Sequence, residues 1–400
     1  LLASEQAAYH GQGTCTFYGT ANSNQLMLEF MGLQLPGASF VPPHTPLREA
    51  LTRAAVRVLV GLAHQGRGLG DLVTAKTLVN GAIGLLASGG STNHAIHLMT
   101  IARAAGVVMN WDDLSRLSAA VPLIAKVYPN GQADVNHFHA AGGVPFMIQS
   151  LLGHGLLHQE VDTILGHGLA AFGHEPVLES GELSSRPSPV NALDSSVLRG
   201  AESPFAPNGG LVLLKGNLGR AIAKVSAVAA EHQTVRAPAV VVESQQALQE
   251  RFQAGGLERD FVAVVRGQGP KSNGMPELHK LTPLLGALQD KGYRVALVTD
   301  GRMSGASGKV PAAIHVSPEC LLGGAIGKIR DGDLIHLDCA AGVLEAVVPD
   351  AEWAQREVTV RPLSEEEQIS EATFGRGLFR CFRDQIKIGR ASCRERVCQY

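Results

Sequence analysis

The chain has 400 residues, which is enough for two domains and a large hydrophobic core. Its composition is that of an ordinary globular protein, with 45% hydrophobic and 18% charged residues, and its 46 glycines indicate many tight loops. The formal net charge of −2 gives no electrostatic support for a nucleic-acid or anionic-membrane partner, and every apolar run is interrupted before the roughly 18 residues of a transmembrane helix.

Both ends of the chain look atypical. The sequence begins at Leu1 without an initiator Met, in a segment that reads as the middle of a helix, so we expect the first domain to lack its N-terminal part. Residues 388–400 resemble a translated sequencing adapter, and we interpret them as a non-native tail outside the fold. The six cysteines are scattered without zinc-type spacing, which favours a reduced, cytoplasmic protein without structural zinc.

The first polar segment, 11–24, is predicted to be a loop that precedes an apolar helix at 26–31. Cys15 lies in this loop between a glycine turn and the helix. The helix dipole there would favour a thiolate suited to metal ligation or nucleophilic chemistry. A buried cysteine that packs as a small hydrophobic residue is an equal alternative on the sequence alone.

The next helix is predicted to begin at Pro46, with Thr45 as its N-cap. Apolar residues then recur at helical spacing, which predicts a scaffold helix that faces the core. The residues that carry this pattern are Leu47, Leu51, Ala54, Val58 and Leu59.

Segment 78–108 contains a glycine turn followed by a capped amphipathic helix. Ser91, Thr92 and Asn93 stand at the N-terminus of that helix. They could form an anion- or hydroxyl-binding pocket, or they could be helix caps, and the residues alone leave both readings open. His137 and His139 further along form a His-x-His pair, but no third ligand is nearby, so we interpret them as solvated or supporting histidines rather than a metal site.

From about 179 to 208 the composition shifts to Ser, Pro, Gly and Glu, which predicts a linker. The chain beyond it is rich in short β patterns with few long helical patterns between them. This favours a closed or partly closed β-barrel with flanking helices over a doubly wound sheet. The predicted strands are 210–215, 239–243, 261–266, 295–298, 334–337 and 343–348.

Two stretches of this half carry candidate chemistry. Segment 265–278 exposes polar groups among glycines and prolines, including Lys271, and it ends near Glu277, which is predicted to open a helix. A second loop follows the strand at 295–298, and its glycines allow a close approach to a ligand. The polar residues of this loop are Asp300, Arg302, Ser304, Ser307 and Lys309.

The second loop is not a nucleotide-binding P-loop, because Met303 and Val310 occupy positions where that motif needs Gly and Ser or Thr. An ordinary exposed polar loop remains an alternative to a ligand site. The run TDGRMSGASGK at 299–309 and HVSPE at 315–319 resemble the C-terminal signature of the dihydroxy-acid/6-phosphogluconate dehydratase family.

Three more motifs are similar to that family's. They are the Gly-x-Cys motif at Cys15, the Gly-Gly-Ser-Thr-Asn turn at 89–93, and the Gly-Met-Pro-Glu motif that ends at Glu277. The FYG triplet at 17–19 and the SGK triplet at 307–309 look most like the 6-phosphogluconate branch.

The resemblance implies an α/β N-terminal domain joined to a C-terminal β-barrel domain with flanking helices. We assign 1–185 to the truncated first domain, 186–208 to the linker and 209–387 to the barrel domain. The family also suggests a homodimer.

The implied reaction is loss of water from a 2,3-dihydroxy acid to give a 2-keto-3-deoxy acid. The expected substrate is 6-phosphogluconate, converted to 2-dehydro-3-deoxy-6-phosphogluconate in the Entner–Doudoroff pathway. One alternative is dehydration of an unphosphorylated sugar acid or branched dihydroxy acid. Another is an inactive fragment that binds sugar phosphate or metal, because the family's further cluster and magnesium ligands lie upstream and have no match here.

The resemblance also implies roles for single residues. Cys15 would be one of three ligands of an iron–sulfur cluster, 4Fe–4S rather than 2Fe–2S, and Glu277 would be a Mg²⁺ ligand. Ser304 would be the catalytic base, provided that nearby cations or amides stabilise its alkoxide. The predicted substrate-binding residues are Ser91, Thr92, Asn93, Lys271, Arg302, Ser307 and Lys309, with Lys309 first for a phosphate group.

Overall fold

The computed structural model describes residues 17–303 and 308–360, and the chain divides into two compact units. The first contains residues 17–109 and Asp113–Gly210, and the second contains Asn110–Asp112 and the described residues from Leu211 onward. The predicted two-domain organisation is confirmed. Within the described ranges no helix has both the length and the hydropathy needed to cross a membrane.

The first unit is built mainly from helices. Its two sheets in the described residues are two-stranded: β1 (Asp162–Thr163) with β2 (Gly166–His167), and β3 (His174–Glu179) with β4 (Glu182–Pro187). A 3₁₀ turn lies at Ala170–Gly173. The helices are α1 (Thr20–Phe30), α2 (Pro46–His64), α3 (Leu69–Leu72), α4 (Ala75–Ser88), α5 (His94–Ala104), α6 (Trp111–Ala120), α7 (Val135–Ala140) and α8 (Gly143–Gly153), where α6 begins at the unit boundary.

Helices α1 and α4 pack closely, and glycine makes this possible. A Cβ at Gly84 would lie 2.5 Å from Cγ of Phe30, so only glycine fits there without displacing the ring. Met27 and Phe30 are fully buried in this contact. Helix α4 ends at Gly89, whose φ of +63° is the left-handed conformation of a helix C-cap.

Two expectations for the first unit need correction. Helix α1 begins at Thr20, so the predicted loop is too long by residues 20–24; Ser23 Oγ donates to the carbonyl of Gly19 at 2.8 Å and supports this early first turn. Helix α2 does begin at Pro46, with Thr45 Oγ1 accepting from the Arg48 amide at 3.2 Å. Its predicted core face is only partly buried, because Leu51 is 3% exposed whereas Leu59 is 66% exposed.

The segment with linker-like composition is ordered against the first unit. It begins within the β3–β4 hairpin, and the Arg199 and Phe205 amides then donate to carbonyls of Ile124 and Leu123. Leu198 is completely buried. The serines and prolines of this segment therefore belong to a stretch of chain that is hydrogen-bonded to the first unit.

The second unit contains a closed barrel of eight strands, which confirms the predicted β-barrel domain. Its strand order is β10-β6-β5-β12-β11-β7-β8-β9. The strands are β5 (Leu211–Gly216), β6 (Gly219–Lys224), β7 (Thr234–Val242), β8 (Phe261–Val265), β9 (Val295–Thr299), β10 (Ala312–Ser317), β11 (Leu334–Asp338) and β12 (Val343–Ala346). Strands β6 and β10 were not predicted, because their alanine-containing sequences, GRAIAK and AAIHVS, carry a weak strand signal.

The barrel mixes two kinds of pairing. Strands β7, β8, β9 and β10 are mutually parallel, whereas β5–β6, β6–β10, β11–β12 and β7–β11 are antiparallel. The helices of this unit are α9 (Gln245–Gln253), α10 (Pro270–Asn273), α11 (Leu281–Asp290) and α12 (Asp350–Gln355), with 3₁₀ turns at Ala230–His232, Cys320–Leu322 and Ala325–Lys328. Because parallel strands end at one edge, the loops after β8, β9 and β10 meet there.

Candidate functional site

Asp300 joins the loops at the carboxyl edge of the parallel strands. It follows β9 directly and is completely buried. Its carboxylate accepts backbone N–H groups from Gly267 at 3.2 Å, Gln268 at 2.8 Å and Cys320 at 2.9 Å. Burial raises the pKa of Asp300, and the backbone donors oppose that rise. Asp300 therefore holds the loops after β8 and β10 together through its buried carboxylate.

Glu319 anchors the loop that follows β8 at the same edge of the barrel. It is 1% exposed, and it accepts backbone N–H groups from Lys271 at 3.1 Å and Ser272 at 3.1 Å. Gly269 permits this approach, since a Cβ there would lie 2.2 Å from Glu319 Oε2. Burial raises the pKa of Glu319, and the charge on Asp300 adds to the rise.

Glu277 and Arg302 form an ion pair at this edge. Arg302 Nη1 lies 2.7 Å from Glu277 Oε2, and Arg302 Nε donates to the Met275 carbonyl at 2.6 Å. The prediction that Glu277 opens a helix is wrong. Glu277 instead forms a β-bridge with Arg302, and helix α11 begins at Leu281. Two predicted site residues from separate stretches are thus brought together.

The two candidate phosphate-binding lysines have different environments. Lys309 Nζ pairs with Asp290, the last residue of α11, and its side chain is about half exposed. The Lys271 ammonium has no hydrogen-bonding or ionic partner among the residues that the structure describes, although its backbone is anchored by Glu319.

Three predicted site residues, Cys15, Ser304 and Ser307, lie outside the described residues. Cys320 and Cys339 are buried, and burial raises their thiol pKa values to about 11 and about 12, so both are neutral thiols at pH 7. Within residues 17–303 and 308–360 there is no group of three or more His, Cys, Asp or Glu side chains arranged to hold a metal ion.

The first unit contains a separate buried polar cluster, where the N-termini of α1 and α5 meet. Ser91 Oγ lies 2.9 Å from Thr20 Oγ1, and Asn93 Nδ2 donates to Thr20 Oγ1 at 2.9 Å. Ser91, Thr92 and Asn93 are all at least 96% buried. Asn93 stands at the N-cap position of α5 but makes no side-chain capping bond, so the simple capping alternative does not describe it.

Two further residues of this cluster were not singled out by the sequence. Ser23 Oγ accepts from the Ser91 amide at 3.3 Å, and His94 Nε2 lies 3.0 Å from Ser23 Oγ. His94 is 2% exposed, and burial lowers its pKa to about 4. The sequence signal that could have identified His94 is a polar residue at the first position of a largely apolar helix.

Comparisons with known proteins agree with the motif pattern. Residues 1–172 match the model for "Dihydroxy-acid/6-phosphogluconate dehydratase N-terminal", and residues 196–391 match its C-terminal counterpart. The chain is 54% identical to a phosphogluconate dehydratase of Pseudomonas aeruginosa over 403 aligned residues, covering 100% of this chain and 65% of the relative.

Two other relatives show the same partial coverage. Identity to a phosphogluconate dehydratase of Escherichia coli is 54%, covering 96% of this chain and 64% of that protein. Identity to a dihydroxy-acid dehydratase of Acetivibrio thermocellus is 35%, covering 88% and 61%. The chain thus spans slightly less than two thirds of these relatives, and it belongs to the dihydroxy-acid/6-phosphogluconate dehydratase family.

Proposed function

We propose, from this family membership, that the full protein is a hydro-lyase that converts 6-phosphogluconate to 2-dehydro-3-deoxy-6-phosphogluconate in the Entner–Doudoroff pathway. The supporting observation is the identity level. It is 54% to two phosphogluconate dehydratases but 35% to the dihydroxy-acid dehydratase, along most of this chain in each case. The proposal includes a cytoplasmic homodimer, which a mass measurement in solution would test.

The proposed chemistry removes the proton from C2 and breaks the C3–O bond, so that water leaves and the resulting enol tautomerises to the keto acid. The C2 proton is barely acidic and hydroxide is a poor leaving group, so both changes need electrostatic help. We assign the base to Ser304. Its alkoxide requires nearby cations or amides, and Arg302 stands two residues before it, held by Glu277.

The proposal includes an iron–sulfur cluster at Cys15 and Mg²⁺ at Glu277, which would supply Lewis acidity at the C3 hydroxyl and at the carboxylate. Glu277 is suited to a Mg²⁺ site that uses few protein ligands, since its partly exposed carboxylate lies at the loop edge. Its bond to Arg302 would have to be shared or exchanged. The described cysteines do not fit a cluster, because Cys320 and Cys339 are buried neutral thiols.

For the substrate phosphate we place Lys271 ahead of Lys309. An anion must displace Asp290 to reach the Lys309 ammonium, whereas Lys271 offers an ammonium without a competing carboxylate in the described chain. The backbone of Lys271 is also fixed by Glu319, which limits the entropy lost on binding.

The test is an anaerobic assay of the full-length protein with Mg²⁺, which compares keto-acid formation from 6-phosphogluconate, gluconate and a branched dihydroxy acid. We expect strong preference for 6-phosphogluconate and loss of turnover in Ser304→Ala, with the exposed Ser185→Ala as control. Lys271→Ala should raise KM for 6-phosphogluconate about 10- to 100-fold, the effect of losing one charge-assisted hydrogen bond, without affecting gluconate.

Lys309→Ala should raise KM less than Lys271→Ala, because Asp290 already pairs with the Lys309 ammonium. Lys291→Ala is the matched control for Lys309→Ala, since Lys291 is exposed and paired with Glu258. Equal or better turnover of an unphosphorylated acid would assign the protein to the other substrate class. The alternative of an inactive, binding-only fragment is tested by the same assay on the 400-residue chain, where it predicts no turnover with any of the three acids.

A further inference from the structure

The polar cluster of the first unit contains an imidazole nitrogen that has no partner within residues 17–303 and 308–360. His94 is the first residue of α5 and is 2% exposed. Its Nε2 lies 3.2 Å from the Thr20 carbonyl oxygen and 3.0 Å from Ser23 Oγ. Its Nδ1 is buried and has no hydrogen-bond partner among the residues that the structure describes.

The surrounding hydrogen bonds determine which nitrogen carries the proton. The Thr20 carbonyl can only accept. Ser23 Oγ donates its proton to the Gly19 carbonyl at 2.8 Å, so it accepts from the histidine. Both partners of Nε2 therefore require a donor, and the proton of the neutral ring resides on Nε2. Nδ1 then carries a lone pair and acts as a hydrogen-bond acceptor.

A buried acceptor without a donor is unfavourable, and proteins rarely retain one without a ligand or water to satisfy it. Protonation does not satisfy it at neutral pH, since burial lowers the pKa of His94 to about 4. What fits the lone pair is a neutral donor such as a hydroxyl group. Ser91 and Asn93, in the same cluster, contact the hydroxyl of Thr20, whose carbonyl oxygen lies beside Nε2.

We propose that Nδ1 of His94 accepts a hydrogen bond from a hydroxyl group of the sugar-acid substrate, which makes His94 a substrate-binding residue of this cluster. The inference rests on the proposed function for the identity of the ligand. The geometry that supports it is the lone pair fixed by Thr20 and Ser23.

Two substitutions separate the roles of the two ring nitrogens. His94→Gln places an amide NH₂ near the position of Nε2, so it keeps a donor to Thr20 and Ser23 but lacks the Nδ1 acceptor. His94→Asn places its amide near the position of Nδ1, so it keeps an acceptor there but loses the two framework bonds. If His94 has only a structural role, His94→Gln should bind both acids as tightly as the wild type does.

The experiment measures binding of 6-phosphogluconate and gluconate to the full-length protein by calorimetry, with thermal unfolding measured on the same samples. We expect His94→Gln to unfold near the wild-type temperature and to bind both acids about 10-fold or more weakly, the effect of one lost hydrogen bond. His94→Asn should lose thermal stability and retain more of the affinity. Wild-type affinity in His94→Gln would overturn the inference.

A ¹⁵N spectrum of labelled histidine provides a second readout, with the His94 signals assigned from their absence in His94→Gln. Ligand should shift the unprotonated Nδ1 resonance upfield as it accepts a hydrogen bond. A resonance already shifted without ligand and unchanged by it would mean that a resident water satisfies Nδ1, and the inference would be wrong. If the protein does not dehydrate 6-phosphogluconate but its binding still depends on His94, the proposed function fails and this inference stands.

Discussion

Replacing Glu29 by Gln should change how the stability of the first unit depends on pH. Glu29 lies in α1 and is completely buried. Its carboxylate accepts the Gly37 amide at 2.5 Å and the Ser39 hydroxyl at 2.5 Å, and it also bonds the Ser39 amide. The nearby Arg48 guanidinium donates to the Val41 carbonyl at 2.7 Å and adds a favourable charge.

Burial outweighs these favourable contacts, and it raises the pKa of Glu29 from its ordinary 4.5 to about 7. At about 1.4 kcal/mol per pKa unit, this shift corresponds to about 3 kcal/mol. Between the two values the native protein binds more protons than the unfolded chain. The free energy of unfolding therefore falls as pH rises from 4.5 to 7, and the full cost is present above pH 7.

Gln has nearly the same shape but no titrating group. We therefore expect the difference in unfolding free energy, wild type minus Glu29→Gln, to fall by about 3 kcal/mol between pH 4.5 and pH 8. Urea unfolding followed by circular dichroism gives this difference, and amide exchange at Gly37 and Ser39 reports the local effect. Glu49→Gln is the control, because Glu49 is exposed on α2 and its carboxylate pairs with Arg53 at 3.7 Å.

Parallel pH profiles for wild type and Glu29→Gln would show that burial does not shift this carboxyl group. A difference that increases with pH would show that Arg48 and the backbone donors dominate, and it would reverse the reasoning. The free energy of unfolding of the Glu49→Gln control should match that of the wild type within about 0.5 kcal/mol at each pH.

Two more substitutions test the packing of α1 on α4 and the loop edge of the barrel. Gly84→Ala should destabilise the protein by about 1–3 kcal/mol in urea unfolding, because its Cβ would meet the Phe30 ring at 2.5 Å. Asp300→Asn should cost about 2 kcal/mol and speed amide exchange at Gln268 and Cys320, since an NH₂ group replaces one acceptor oxygen against backbone donors.

Each of these has a matched control. Gly61→Ala, in the interior of α2 with nothing within 4 Å of its Cβ, should stabilise by about 0.5–1 kcal/mol. Asp290→Asn removes an exposed carboxylate and should cost less than about 1 kcal/mol. Equal changes in unfolding free energy for Gly84→Ala and Gly61→Ala would show that the close contact with Phe30 does not affect stability. Equal changes for Asp300→Asn and Asp290→Asn would show the same for the buried acceptor.

Local chemistry explains what was predictable in the fold. Pro46 after Thr45 marks a helix start from the side chain and ring of two adjacent residues, and the continuous apolar runs of β8 and β9 identify strands that are buried on both faces. Strands β6 and β10 lacked such a pattern. Their pairing is decided by partners up to about a hundred residues away, as in the register of Ile222 with Ile314.

The same distinction applies to the candidate site. The glycine loop after β9 and the Gly-Met-Pro-Glu stretch were visible in the sequence, and the pairing of Arg302 with Glu277 was not. The burial of Asp300 against three backbone donors likewise depends on loops that follow other strands.

Residue types within a few positions of one another were enough to predict the start of α2, the buried strands β8 and β9 and the family motifs. Only folding closes the barrel, pairs Lys309 with Asp290 and buries His94 Nδ1 where the described part of the chain offers it no hydrogen-bond donor. Strand pairing, burial and the protonation of a buried ring depend on groups that are distant in the chain and become neighbours only on folding.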